Sequence, residues 1–229
     1  MPPILLLTRP EGPSRRFAAQ AAVLPPHEVL IAPLTEVVAL PFDPAVFDGA
    51  RGVILTSANA VPMLPAMPGL PAWCVGAATA RAAQAAGFAA RDGGGDAAAL
   101  LRLLRAEAPE GPLVYAHGTD LSRDLTRDLP GLCAVAVYDA RARAPGPALL
   151  AALAGTRPVF APLFSPRAAR LFAQVPGALT ASALHLVAIS PACAAALPTP
   201  LDATIAETPD SGGILRALQA VMSHPTLAG

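Results

Sequence analysis

The 229-residue sequence has no lysine; its sixteen basic residues are all arginine, and sixteen acidic residues balance them. Without lysine there is no Schiff-base catalysis, no lysine-bound cofactor and no Walker-type phosphate loop. Zero net charge gives no general pull on nucleic acid or anionic lipid, so neither is an expected partner. Cysteine is scarce: Cys74, Cys133 and Cys193 are odd in number and far apart, and read as reduced core residues of a cytoplasmic protein. His27, His117, His185 and His224 show no metal-ligand spacing, so no metal site is expected. No G-x-S-x-G elbow is present, and no G-x-G-x-x-G follows a first strand, which leaves little for hydrolase or dinucleotide chemistry.

Uninterrupted apolar helices are also missing, although 54% of residues are hydrophobic and mean hydropathy is +0.50. Much of that excess is 53 alanines, which favour helix and close packing. The uncharged stretch 52–80 is broken by Pro62, Pro65, Pro68 and Pro71, and 171–201 by Pro176, Pro191, Pro198 and Pro200. Neither suits a bilayer, where broken backbone needs protein around it. The opening apolar run Ile4–Leu7 is too short for a signal peptide.

What is present is alternation. Short apolar runs recur at Ile4–Leu7, Val29–Ala32, Val53–Leu55, Ala72–Val75, Leu113–Ala116, Ala134–Val137, Val159–Phe164, Leu184–Ile189 and Ala203–Ala206. Between many of them lie Ala- and Leu-rich helical patterns such as Ala77–Ala86, Ala97–Ala106 and Gly213–Met222. This predicts an α/β fold with parallel sheets.

The chain also repeats itself. Leu55-Thr-Ser-Ala-Asn-Ala-Val resembles Leu163-Phe-Ser-Pro-Arg-Ala-Ala, Cys74-Val-Gly-Ala-Ala resembles Ala188-Ile-Ser-Pro-Ala, and the Gly94–Leu104 segment resembles Pro209–Leu218. Leu113-Val-Tyr-Ala-His closes the first copy, yet its match, Leu5-Leu-Leu-Thr-Arg, lies 108 residues earlier. The permutation predicts two doubly wound parallel-sheet lobes, 34–144 inserted into a discontinuous 1–33 plus 145–229. The chain would cross between them near 32–40 and 134–144 as a two-strand hinge, with the site in the cleft between lobes.

Four strand runs end alike, in a small polar residue or glycine before an expected helix: Thr56-Ser57-Ala58-Asn59, Gly76-Ala77-Ala78-Thr79, Ser165-Pro166-Arg167 and Ser190-Pro191-Ala192-Cys193. Thr8-Arg9-Pro10 and His117-Gly118-Thr119 are looser versions. Each alone is what capping requires. Repeated at matching places along a carboxyl edge, such helix starts suit a ligand with many acidic groups, each contact contributing about 0.3–1 kcal/mol when exposed. Asp96 and Asp210-Ser211 are expected to cap the helices after Gly93-Gly94-Gly95 and after Pro209. Of only two tyrosines, Tyr115 lies inside a strand run and reads as core, while Tyr138 lies on the return crossing, where a phenol can donate a proton or hydrogen bond.

These residues resemble the uroporphyrinogen-III synthase family over essentially the whole chain. The resemblance rests on Leu7-Thr-Arg-Pro, Ile54-Leu-Thr-Ser-Ala-Asn-Ala-Val, Val75-Gly-Ala-Ala-Thr-Ala, Val137-Tyr138, Phe164-Ser-Pro, Val187-Ala-Ile-Ser-Pro and Ala206-Glu-Thr-Pro, in that order. It implies two α/β lobes, one discontinuous, and a cyclising lyase of tetrapyrrole biosynthesis without cofactor. The substrate it implies is hydroxymethylbilane, which loses water, inverts its last pyrrole ring through a spiro intermediate and closes. It also implies a cytoplasmic monomer with the preceding deaminase as a transient partner.

Carried over by position, Tyr138 matches the tyrosine that assists loss of the hydroxyl, Thr79 a substrate-contacting threonine, and Thr56, Ser57 and Ser165 the lining hydroxyls and amides. Gly76, Asn59, Ser190 and Cys193 complete the junctions, and Arg9 and Arg167 are candidate carboxylate contacts. The chain departs from the family pattern at Arg167, at Ala192-Cys193, where a binding hydroxyl is lost, and at His117, where Arg is common. A non-catalytic two-lobed anion- or tetrapyrrole-binding module is the alternative, and a nucleotide-using α/β enzyme a more distant one.

Overall fold

The apolar runs become strands because each is short, dense in Leu, Val and Ile, and bounded by Gly, Pro or a capping hydroxyl. The computed structural model describes residues 1–121 and 123–223, so Ser122 and His224 lie outside it. The chain begins with β1 (Ile4–Leu7), α1 (Glu11–Gln20), β2 (Glu28–Ile31) and β3 (Thr35–Ala39). It continues with β4 (Gly52–Leu55), β5 (Pro71–Cys74), α2 (Ala77–Ala85), β6 (Ala89–Asp92), α3 (Ala97–Glu107), β7 (Leu113–Gly118) and β8 (Cys133–Ala142). Then come α4 (Pro147–Ala154), β9 (Val159–Leu163), α5 (Pro166–Ala173), β10 (Leu184–Ala188), α6 (Pro191–Ala194), β11 (Ala203–Ile205) and α7 (Ser211–Ser223). Among the described residues no helix is long and apolar enough to cross a membrane.

The chain divides into two compact units, 1–36 with 142–229, and 37–141. The first holds a five-stranded sheet in the order β11-β10-β9-β1-β2, with every pair parallel. The second is built on a sheet ordered β3-β8-β7-β4-β5-β6, with β8 to β6 parallel. Read from β7, the run β8-β7-β4-β5-β6 has the same 2-1-3-4-5 order as β2-β1-β9-β10-β11, so the two sheets are related by circular permutation. That order is one of the doubly wound arrangements. The chain passes from one unit to the other within β3 and at the end of β8, which are neighbours. Leu40 donates its N–H to Val137 O and Arg143 to Leu34 O, so this pair runs antiparallel.

Side-chain alternation gives each sheet two buried faces. In the first unit Ile4, Leu6, Val159, Ala161, Leu163, Leu186 and Ala188 pack with Leu149, Leu153 and Phe172. The opposite face, Leu5, Leu7, Phe160 and Val187, packs with Phe17, Ile214 and Leu218. In the second unit Val53, Leu55, Ala72, Cys74, Val114 and Ala116 meet Ala80, Ala83 and Phe88, while Ile54, Trp73 and Tyr115 meet Leu100, Leu101 and Leu104 of α3.

Asp96 caps α3, accepting the Ala99 N–H at 2.7 Å, and Asp210 caps α7 by accepting that of Gly213 at 2.7 Å. We expect Asp96→Ala to lower stability by about 1 kcal/mol in chemical unfolding, the ordinary cost of losing an N-cap side chain.

Several expectations need correction. No α-helix follows β4; the chain makes turns and a short 3-10 segment, Val61–Met63. Pro65 and Pro68 would each remove an amide donor from a helix starting there and clash with the preceding turn. The helix after Ser190 is only four residues long. β6, Ala-Ala-Arg-Asp, carries no apolar run because it is a largely exposed edge strand held by β5. Cys133 is exposed rather than core, whereas Cys74 is buried and burial pushes its thiol up to about 12.

Candidate active site

In a doubly wound sheet, ligands bind outside the carboxyl ends of strands where the winding reverses direction. In unit 37–141 that point lies between β7 and β4. A pocket of about 340 Å³ opens there, lined by Thr56 and Ser57 after β4, Val75 after β5, Gly95 and Ala97 before and in α3, Tyr115 and Gly118 of β7, Asp120, Leu121 and Arg123 after it, and Tyr138 of β8.

Tyr138 reaches this pocket because of an irregularity in its strand. Along β7–β8 the partners are His117↔Ala136 and then Gly118↔Tyr138, so Val137 is an extra residue. Such a bulge switches the facing of the residues after it. Val135, Val137, Tyr138 and Ala140 accordingly all pack on the same core cluster. The phenol, 8% exposed, lies directly over Gly118, where a Cβ would stand 2.5 Å from Tyr138 Cζ.

The second phenol comes from the opposite sheet face. Tyr115 is 1% exposed, packs with Ile54 and Leu101, and places its hydroxyl 3.2 Å from Thr56 Oγ1. Burial pushes its pKa above the usual phenol value, the Thr56 bond opposing this in part. Ser57 Oγ accepts the Asn59 N–H at 3.2 Å, which tightens the turn after β4. Gly94 and Gly95 both have positive φ and wrap the chain from β6 back to β5, where Gly95 donates its N–H to Val75 O at 2.7 Å. On the outer wall Arg123 makes a two-pronged bond to Asp128, 2.8 and 2.7 Å, which holds that carboxyl below its ordinary range.

The pocket therefore joins Thr56, Ser57 and Tyr138 of the residues expected from sequence. Gly76 borders it, a Cβ there coming 3.3 Å from the Gly95 Cα. Asn59 is half-buried in the turn beyond Ser57, and Thr79 is buried in the first turn of α2; neither lines the pocket.

The unit 1–36 plus 142–229 has its own reversal point, between β1 and β9. Arg9, just after β1, stacks its guanidinium 4.2 Å from the Phe164 ring centroid, and Phe17 braces that ring edge-on at 5.0 Å. Burial and nearby Arg16 depress the Arg9 pKa below the usual arginine value, and among the described residues no carboxylate pairs with it. Ser165 and Ser190 cap α5 and α6, accepting the Ala168 and Cys193 N–H groups at 3.1 and 3.3 Å. Arg167 is half-buried in the first turn of α5 and has a partner of its own. Cys193, read from sequence both as a core cysteine and as a junction contact, is fully buried with its thiol 3.5 Å from Leu163 O and lies in the core.

Sequence reasoning placed Gly118 only in a loose junction and did not single out Tyr115, Gly95 or Arg123 as site residues. A signal existed for Tyr115, since a buried tyrosine hydroxyl requires a partner. Leu55↔Ala116 pairing sets Thr56 one step beyond, at the level where that hydroxyl emerges. In the loop after β7, Ser122-Arg123 stands in the sequence only as the repeat match of Ser14-Arg15, which does not by itself mark Arg123 as a pocket residue.

The family model described as uroporphyrinogen-III synthase HemD matches residues 19–216. The uroporphyrinogen-III synthetase of Helicobacter pylori superposes with a TM-score of 0.67 at 18% identity, covering 96% of this chain and 100% of that one. That likeness establishes the fold. A mutant uroporphyrinogen III synthase of Thermus thermophilus is 21% identical, with a TM-score of 0.48 over 95% of this chain and 99% of its own. Among curated proteins no relative matches. With most of its length matched by that model, the chain belongs to the uroporphyrinogen-III synthase family.

Proposed function

We propose that this protein is a uroporphyrinogen-III synthase in activity, cyclising hydroxymethylbilane with loss of water and inversion of the last pyrrole ring. The observation that carries the reading, beside the family match, is the pocket at the β7–β4 reversal, where Tyr138 stands among hydroxyls and a helix start. At about 340 Å³ the pocket suits one part of a four-ring substrate rather than the whole.

In this mechanism the Tyr138 O–H protonates the departing hydroxyl as the C–O bond breaks, releasing water and leaving an azafulvenium cation. The substituted carbon of the last ring then attacks that cation, forming the spiro intermediate. Its bond to the original bridge carbon breaks, that bridge re-bonds to the unsubstituted α-carbon of the same ring, and the proton lost there restores the Tyr138 phenol. Unassisted cyclisation gives the uninverted isomer, so the protein's larger task is positional: donors on the carboxylate arms hold the conformer in which inversion occurs. Thr56, Ser57 and the first amides of α2 and α3 serve as such donors, with Thr79, Asn59, Arg9, Ser165, Arg167 and Ser190 as further proposed contacts. The protein acts as a cytoplasmic monomer that receives its substrate from the preceding deaminase.

The test is a coupled assay with hydroxymethylbilane, oxidation of the products and chromatographic separation of the isomers. Isomer III is expected to dominate over a no-enzyme control. Isomer I alone, at the spontaneous rate, would refute the assignment in favour of a binding module.

A further inference from the structure

Tyr115 reads from sequence as a core residue, and nothing assigns it a role in the reaction. Its ring is indeed core, yet its hydroxyl meets Thr56 in the same pocket as Tyr138. Two hydroxyls sharing one hydrogen bond must choose a direction, since one donates and the other accepts. Burial decides it here. Tyr115 is 1% exposed, and Thr56 Oγ1 is the hydrogen-bond partner of its hydroxyl among the described residues. A phenol proton left without an acceptor in that setting would cost a buried unsatisfied donor. Thr56 is only half-buried and opens to the pocket. The low-cost arrangement has Tyr115 donating and Thr56 accepting, which leaves the threonine proton to be given elsewhere.

We propose that Tyr115 is a positioning residue that orients the Thr56 hydroxyl as a hydrogen-bond donor into the pocket, toward an acceptor oxygen of the bilane. The proposal rests on the synthase reading and adds to it a residue that acts through another. Burial also holds the Tyr115 pKa above the usual phenol value, so the phenol keeps the proton that this arrangement has it donate. The acceptor is either a carboxylate of the bound chain or the departing hydroxyl, and steady-state kinetics separate the two. A carboxylate contact is made equally in ground and transition states and its loss raises KM, whereas a contact to the leaving group lowers kcat.

The experiment compares wild type, Tyr115→Phe, Thr56→Val, Thr56→Ser and the Tyr115→Phe/Thr56→Val double variant in the isomer III assay, with chemical unfolding alongside. Tyr115→Phe keeps the ring in its core site and is expected to fold. We expect Thr56→Val to change KM or kcat about tenfold, the ordinary effect of one lost hydrogen bond to a charged or charge-developing group, and Tyr115→Phe to change the same constant about threefold or more. Thr56→Ser, which retains the hydroxyl, should recover most of what Thr56→Val loses, and failure to recover any of it overturns the proposal. The double variant should be no worse than Thr56→Val, because both changes act through one bond. Tyr115→Phe with wild-type KM and kcat overturns the proposal, even if stability falls, and so do effects that multiply in the double variant. Wild type that forms no isomer III overturns the synthase reading, and this proposal with it, which is a distinguishable result.

Discussion

Replacing Tyr138 with phenylalanine is expected to slow formation of isomer III about a hundredfold while leaving the protein folded. The change removes one oxygen from a ring that stays packed with Val137 and Val135 over Gly118. General acid catalysis contributes about 10² to 10⁴ in rate. The low end applies because a pyrrole-stabilised cation forms readily once the hydroxyl leaves, so part of the departure proceeds unassisted. The isomer ratio should shift toward isomer I as the spontaneous route competes, but isomer III should remain detectable, since the carboxylate contacts that select the conformer are untouched. Single-turnover kinetics with product separation reads both quantities. A rate equal to wild type removes Tyr138 from the chemistry.

Gly118→Ala is expected to do at least as much damage by a different route. Gly118 has no positive φ, so its backbone accepts alanine. The objection is spatial: the added methyl would meet Tyr138 Cζ at 2.5 Å, Cε2 at 2.6 Å and the hydroxyl at 2.8 Å. The ring cannot stay, and moving it disturbs the packing around Val137 as well as displacing the proton donor. Overpacking of this kind costs about 1–3 kcal/mol. We expect that loss in chemical unfolding together with turnover no better than that of Tyr138→Phe. A double-mutant cycle isolates the cause. In a Tyr138→Ala background the ring is gone, and Gly118→Ala should then cost little further stability. An undiminished cost there would place the clash elsewhere in β7.

Much of this architecture is legible in the amino-acid order, for identifiable reasons. The buried strands β1, β4 and β9 are uniform apolar runs, as strands covered on both faces must be, and β7 and β10 are nearly so, interrupted by His117 and His185. The caps at Asp96, Ser165, Ser190 and Asp210 are readable because a short polar side chain before a helix has few other uses. The internal similarity is readable because equivalent strands end in equivalent turns. Elsewhere a longer-range effect decides. The turn after β4 looks like a helix start until Pro65 and Pro68 are weighed. Cys193 stands at a junction in the sequence, yet its thiol turns inward to Leu163 O, as its other reading as a core cysteine expects.

By itself the sequence determined the α/β class, the permuted two-unit organisation of its repeats and the chemistry it can offer: hydroxyls, amides, arginines and two phenols, with no lysine. Only the tertiary structure decided where those phenols point. Strict alternation along β8 would send Tyr138 to the face opposite Val137, away from the core that both in fact share. The bulge opposite Gly118 reverses this, and it depends on the pairing with β7 and on the space that a missing side chain leaves there. Tyr115 is likewise a core residue by its own strand, and gains a place in the pocket only because β4 sets Thr56 beside its hydroxyl. Both depend on contacts between strands distant in sequence, 59 residues apart in the case of Thr56 and Tyr115, which no local pattern encodes.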